Sequence, residues 1–422
     1  MEVCGTEALD GGYGEIVAEF AALVKTLAEQ VAALRTPADV ARLQQQLRFD
    51  GQRLLGQLWG QVLQDAVAGH QEQARTCPNC GGKRRHQGVR PRRVLSSFGQ
   101  LMVQGIYWRC PDCGSCGHSA EGLLPEAVDE LMRGFLCLLG TALASFDKAQ
   151  LVTERILGMK VDAETIRSLC LQEGFAVLRG QEAPPEPVVQ DTLLVGSCDG
   201  AMLHTREGGW REVKAYRFEH EGGCYGGAYL ERAENFTPRL AQAALRLAAQ
   251  RAGTRLFLSD AAEWIGQAVV RHLPGWMHII DFYHAGEHVH ACGEGLYGRE
   301  HPDAARWSGY WCHRLKQYGA AYVEQHLSQL ALRWSFQRPK QEAILQLVRY
   351  LRRHEHQMRY PEYLAHHWPI GSGPMESFCK QLGLRMKGPG MRWRSDHITA
   401  MAALVSRWSL DPERASCFRY AA

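Results

Sequence analysis

Four cysteines stand in two pairs, Cys77-Pro-Asn-Cys80 and Cys110-Pro-Asp-Cys113, separated by 29 residues. A tight turn lets each pair deliver two thiolates, and four soft ligands in a tetrahedron suit Zn²⁺. Gly81, Gly82 and Gly114 follow the pairs and suit the positive φ that such turns need. Between the pairs, Val94, Phe98, Leu101, Val103, Ile106 and Tyr107 suit a small hairpin. The pattern predicts a structural Cys4 zinc ribbon, with Cys116 and His118 as alternative ligands close behind. Lys83, Arg84, Arg85, Arg90, Arg92, Arg93 and Arg109 fall in the same stretch with no acidic residue among them. That charge would attract phosphates, and an ordinary solvated surface is the plainer alternative.

A second set is made of carboxylates. Asp199 follows the apolar run LLVGSC, Asp260 follows LFLS, and Asp281 follows MHII. Charges placed directly after buried strands cost desolvation unless they are paired or metal-bound. Glu376 lies in GSGPMES, where Pro374 suits the first turn of a helix. Any one of these aspartates alone is more often a turn or helix cap. Together they form an oxygen-only set of the kind that suits Mg²⁺ or Mn²⁺. Two such ions can activate an attacking oxygen and stabilise the leaving one in an in-line phosphoryl displacement. Behind Glu376 come Lys380, Arg385, Lys387, Arg392 and Arg394, with Trp393 interleaved and no acid from Ser377 to Ser395. A carboxylate helix that runs into such a segment suggests DNA phosphate held beside the metals.

These groups need elements to position them. Residues 1–70 read as helix. Val17, Phe20, Val24, Leu27, Val31 and Leu34 make a 3-4-3-4-3 stripe that ends at Pro37, and a second helix runs from Asp39 to about Ala68. The pair either packs on the rest of the chain or forms an oligomerisation arm. Residues 71–120 hold the zinc ribbon. Residues 121–190 are helical, and KAQLVTERILGMKVDAETIRSLC has helix-turn-helix spacing around Gly158. The proline-rich EAPPEPVV reads as a linker.

Residues 191–290 follow the order βββαβαβ, with strands at Asp191–Leu203, Arg211–Phe218, Gly222–Leu230, Arg255–Ser259 and Met277–Asp281. Residues 291–368 are helical. Residues 369–422 hold a final helical stretch that opens near Gly373-Pro374 and runs to about Trp408, although Gly388-Pro389-Gly390 argues against one long plain helix.

SCDG at 197–200, SDAAEWI at 259–265, IIDFYHAGEH at 279–288 and PIGSGPMES through KGPGMRW at 369–393 resemble DDE transposases of bacterial insertion sequences. The resemblance is to the Kra-type group, related to the Mutator-like transposases. It extends to the zinc ribbon and its spacer RRVLSSFGQLMVQGIYWRC, and so covers most of residues 77–408. It implies an RNase H-like α/β core with a mixed sheet, a helical insertion before the final glutamate, and Mg²⁺-dependent cleavage and transfer of DNA strands. By position, Asp199, Asp260 and Glu376 match the catalytic triad. Asp281 and His284 match the Asp/Cys-x-x-His motif of that group, and Asp281 is the alternative ligand to Asp260, because Ala261 stands where a glycine often follows.

The implied partners are double-stranded DNA at element ends and target, and further copies of the chain on that DNA. Two other readings remain open. A non-catalytic zinc-ribbon DNA-binding protein would use the basic modules alone. His284-Ala-Gly-Glu287-His288 also fits the H-x-x-E-H pattern of zinc proteases, although Gly286 weakens the helix it requires.

Composition bounds all of this. The 422 residues carry 48 Lys and Arg against 45 Asp and Glu, which excludes a histone-like polycation and confines DNA binding to local patches. The best apolar run, Gly134–Phe146, is too short for a bilayer. The opening MEVCGTEALD lacks the apolar core of a signal peptide. The 14 cysteines then point to a reducing cytoplasm, with association to the nucleoid when DNA is bound.

Overall fold

A capping box sets the start of the longest N-terminal helix. Helix α1 (Gly12–Val31) ends before Thr36, whose Oγ1 accepts from the Asp39 amide while the Asp39 carboxylate accepts from the Thr36 amide at 2.8 Å. Pro37 then opens α2 (Pro37–Gly69), where its missing N–H costs nothing. The computed structural model describes residues 12–180, 185–333 and 337–410. The opening decapeptide, the first part of the proline-rich linker and the end of the C-terminal segment lie outside them.

The chain divides into two compact units, and the break falls near residue 170. In the first, β1 (Arg85–Ser96) and β2 (Gly99–Arg109) form an antiparallel hairpin, and β3 (Cys116–His118) adds to β2. Leu63 and Val67 of α2 pack on Leu101, Val103 and Ala120. Helix and ribbon therefore share one core, which corrects their division into separate domains at residue 70. Helices α3 (Glu130–Ala142), α4 (Phe146–Leu157) and α5 (Ala163–Leu178) follow. The turn between α4 and α5 uses Gly158 at φ 68, and Asp162 accepts from the Thr165 amide at 2.7 Å to cap α5.

In the second unit, β4 (Leu193–Thr205), β5 (Gly209–His220) and β6 (Gly223–Tyr229) run antiparallel. Helix α6 (Ala233–Arg246) leads to β7 (Thr254–Ser259), and α7 (Glu263–His272) leads to β8 (Met277–Ile280). Helix α6 stops at Arg246, because Ala248 turns left-handed (φ 52) and a short 3₁₀ turn follows. Strands β7 and β8 run parallel to β4, so the five-stranded mixed sheet has the order β6-β5-β4-β7-β8.

Alternation along β7 sends Leu256 and Leu258 to one face and Phe257 to the other. Phe257 joins Phe236, Leu240 and Ile265 of α6 and α7. Leu256 and Leu258 lie under α8 (Phe282–Tyr297), α9 (Pro302–Arg333), α10 (Arg338–His354) and α11 (Tyr360–Ala365). The expected division at 290/291 falls inside α8, and the helical segment shares the core of the sheet rather than forming a body of its own. Helix α12 (Gly373–Met386) packs on β4, and α13 (Ser395–Leu410) packs on β6. The final helical stretch is thus two helices, broken at residues 387–394, where Gly388-Pro389-Gly390 argued against one long plain helix. No helix among the described residues is long and apolar enough to cross a membrane.

Candidate functional site

The two cysteine pairs are built alike. The Gly81 amide donates to the Cys77 carbonyl at 2.9 Å and the Gly114 amide to the Cys110 carbonyl at 3.0 Å, with the two glycines at φ 72 and 73. Cys77 Sγ lies 3.6 Å from Cys113 Sγ, and Cys80 Sγ lies 3.5 Å from Cys110 Sγ. A tetrahedron with Zn–S bonds of 2.3 Å requires sulfur separations of about 3.8 Å, so the four sulfurs fit zinc. Ser115 belongs to no motif in the sequence. Its hydroxyl sits 3.1 Å from Cys77 Sγ, and that hydrogen bond pulls the Cys77 thiol down to about 5, which favours the thiolate. The two alternative ligands are otherwise engaged. His118 caps the following turn through Nδ1 and contacts the Arg90 carbonyl at 2.9 Å, while Cys116 lies against Tyr107.

The basic residues of this module separate by the direction of the strand face. Arg85, Arg93 and Arg109 are exposed, and Arg85 pairs with Arg109 across the hairpin. Arg84 is buried against Gly117. Arg92 turns inward, donating to the Pro125 carbonyl at 3.1 Å and meeting Glu121. Neither Arg84 nor Arg92 can serve as a surface phosphate contact, which corrects the expectation for both.

At the other site, sheet register brings the aspartates together. Ser197 stands beside Leu258 and Ser259 beside Ile280 in the parallel ladders. Continuing that register puts Asp199, Asp260 and Asp281 on one level: Asp260 and Asp281 directly follow β7 and β8, whereas Asp199 lies within β4, which runs on to Thr205 past the strand end expected there. Neighbouring strands are about 4.8 Å apart, so Asp199 and Asp260 are adjacent. Burial pushes the Asp199 carboxyl up, and the charges of Asp260 and Glu212 push it further. Glu212 lies over Gly200, where a Cβ would stand 2.3 Å from its Oε1, so a side chain after Asp199 would push Glu212 aside. Cys379 of α12 hydrogen-bonds to Asp199 and ties that helix to β4.

Asp281 is fully engaged. Its Oδ1 accepts from the amides of Tyr283 at 2.6 Å and His284 at 3.0 Å, capping α8. Its Oδ2 accepts from the Ser372 hydroxyl at 2.6 Å and from the Ser372 amide. Ser372 is the residue that precedes α12, so Asp281 latches the start of α8 to the start of the Glu376 helix. With four donors on two oxygens it is a buried anchor and a poor choice as a metal ligand.

Glu376 itself is mostly exposed and pairs with Lys380 at 2.8 Å. Among the described residues, only the four cysteines bring three or more ligand atoms within 4.8 Å of one another. The three carboxylates share one end of the sheet without being gathered. His284, Glu287 and His288 are not gathered either, and the His288 ring stacks on Tyr350 at 3.8 Å.

Behind Asp260 runs a polar chain that the sequence does not suggest. Gln357 joins His354 at 2.9 Å and His278 at 2.7 Å, and His278 Nε2 meets Ser259 Oγ at 2.9 Å. Burial pulls the His278 imidazole down to about 4, so it is neutral. Tyr350 places a buried hydroxyl near Asp260 and Asp281, with no hydrogen-bond partner among the described residues.

The basic segment after α12 is clasped to the tip of the β4–β5 hairpin. The Arg206 amide donates to the Trp393 carbonyl at 2.8 Å, and the Trp393 amide donates to the His204 carbonyl at 3.1 Å. Trp393 is buried, with Nε1 donating to the Met386 carbonyl at 3.0 Å, so it is not available to stack on a base. Arg385 is buried over that ring and cannot reach phosphate, a second correction. Lys380, Lys387, Arg392 and Arg394 remain exposed. Neither a scan against protein-family models nor a search of curated proteins finds a match for this chain.

Proposed function

We propose that the chain is a DDE-type DNA transposase that cleaves and joins DNA strands by divalent-metal-dependent phosphoryl transfer. One observation carries the reading: Asp199 within β4 falls level with Asp260 at the carboxyl end of the adjacent parallel strand β7, and the helix that bears Glu376 is tied beside them. Three antiparallel strands followed by two parallel ones, in the order β6-β5-β4-β7-β8, are what the resemblance to an RNase H-like core implies. The carboxylate donors suit Mg²⁺ or Mn²⁺, with Asp199, Asp260 and Glu376 as ligands. The bound ions would lower the pKa of a water or 3′-hydroxyl and neutralise charge on the phosphate.

The residues of this chain supply the rest. Burial, with the charges of Asp260 and Glu212, disfavours the charged form of Asp199, a cost that a cation would relieve. The Asp281–Ser372 latch fixes where α12 begins, and so where Glu376 hangs. Glu376 must leave Lys380 to complete the set, and phosphate offers that lysine another anion. Lys387, Arg392 and Arg394 on the clasped segment, and Arg85, Arg93 and Arg109 on the ribbon, would hold the DNA backbone.

The ungathered carboxylates favour a second reading, a DNA-binding protein without catalysis. Asp199→Asn, Asp260→Asn and Glu376→Gln decide between the two. Each should lower Mg²⁺-dependent strand cleavage at least about a thousandfold, without additivity, because the three act as one site. DNA binding should persist or tighten. Wild-type chain that binds DNA and cleaves none would establish the non-catalytic reading.

A further inference from the structure

The N-terminal helix pair shows a surface that the rest of its unit does not cover. None of the 20 residues of α1 is buried. An isolated helix of that length is marginal in water, and packing of an apolar face usually supplies what propensity does not. Helix α1 carries two adjacent apolar stripes. Ile16, Leu23 and Leu27 are partly covered, while Val17, Phe20, Val24 and Val31 are 45–58% exposed. Tyr13 on Asp65 at 2.7 Å and Glu19 on Arg53 at 2.8 Å hold α1 antiparallel along α2. Helix α2 shows a stripe of its own, Val40, Leu47, Leu55, Leu58 and Val62, with Trp59 at its flank, all 37–52% exposed. At 100° per residue the five aliphatic positions of α2 fall within one narrow arc, as do the four exposed ones of α1. Neither set contains a charge.

We propose that these two stripes form one self-complementary face, on which a second copy of the chain docks to complete a four-helix bundle. The area fits. Ten half-exposed large apolar side chains at roughly 70–100 Å² each offer about the 800 Å² per partner that a standard interface removes from water. A two-fold axis sets a patch against itself, and uncharged stripes can meet that way without desolvating an ion. Two antiparallel helices with a common apolar face are half of a four-helix bundle. Nucleic acid is a poor occupant, because α1 carries Glu15, Glu19 and Glu29 against Lys25 alone. The dimer needs no DNA and stands independently of the proposed catalysis.

The test is the mass of the purified, zinc-loaded, full-length chain without DNA, by light scattering and sedimentation from about 1 to 100 µM. Wild-type chain is expected at twice the 47.3 kDa chain mass. Val24→Glu combined with Leu58→Glu places charges in the interface on good helix formers, and should raise the dissociation constant at least about a hundredfold with zinc content and helix content unchanged. Should that variant lose helix content, Val24→Gln with Leu58→Gln replaces it. Leu245→Glu, at another exposed leucine outside this face, should leave the dimer intact. A wild-type monomer across the whole range overturns the proposal, as does a dimer indifferent to both pairs of substitutions in a folded chain.

Discussion

The cysteine centre and the carboxylate end of the sheet contrast in how complete they are. The four sulfurs already sit at tetrahedral separations, whereas Asp199, Asp260 and Glu376 share a neighbourhood and stay apart. Each cysteine pair is held by its own local turn, and the Ser115 hydroxyl supports the Cys77 thiolate, so the sulfurs can crowd together. Three carboxylates cannot crowd without a counter-charge, because repulsion and desolvation add. Glu376 takes the nearest cation, Lys380, instead. The chain thus has one candidate site fixed by local backbone geometry and, on the proposed reading, one that an ion would gather.

The strongest way to break this contrast is at the cysteines. Cys77→Ser with Cys110→Ser should abolish zinc binding and unfold the ribbon, since structural zinc contributes on the order of 10 kcal/mol to such modules. Metal analysis and protease resistance of residues 71–120 read this, and unchanged zinc content would show that the four sulfurs hold no metal. Next in size is the latch. Asp281→Asn keeps the cap of α8 but turns an amide N–H toward the N–H of Ser372, so the chain should lose about 1–3 kcal/mol of stability. Urea unfolding measures it, and no change would mean that α12 is held by other contacts.

His278 sharpens the comparison through pH. The unfolded chain takes up this proton below about 6.5, and the folded chain only below about 4. The unfolded state binds more protons between those values, so stability rises with pH there and is lost as pH falls from 6.5 to 4. The slope is at most about 1.4 kcal/mol per pH unit. His278→Gln should flatten it in urea titrations at pH 7.5, 6 and 5, and an unaltered slope would place the proton elsewhere.

A smaller effect per residue is expected at the proposed DNA surface. Neutralising Lys387, Arg392 and Arg394 should reduce the slope of log K against log salt by roughly 0.9 for each phosphate that no longer meets a cation. Arg385→Met should leave the slope unchanged, because that side chain is buried.

The difference in completeness also explains what is legible in the sequence. Cys77–Cys80 and Cys110–Cys113 announce their chemistry, because ligands and turn lie within a few residues. Strand ends at Asp260 and Asp281 are legible from apolar runs, whereas the apolar run before Asp199 stops where β4 does not, and the ladder register places the three level. The Asp281–Ser372 bond joins residues 91 apart in sequence, so no local pattern could signal it. Nor could composition tell which way a basic side chain points. Arg84, Arg92 and Arg385 read like their exposed neighbours and are turned inward by strand parity and by packing on Trp393. The N-terminal heptad-like spacing reads as one face, while the helix carries two, offset by a fraction of a turn. Only the position of α2 separates the covered set from the exposed one.

The most direct measurement is Mn²⁺ binding followed by electron paramagnetic resonance on the zinc-loaded chain. Wild-type chain should bind Mn²⁺, Asp199→Asn/Asp260→Asn should bind none while keeping its zinc and its fold, and Glu376→Gln should bind more weakly than wild type. Wild-type chain that binds no Mn²⁺, or a folded double variant that binds it as well as wild type, would contradict an ion-gathered carboxylate site.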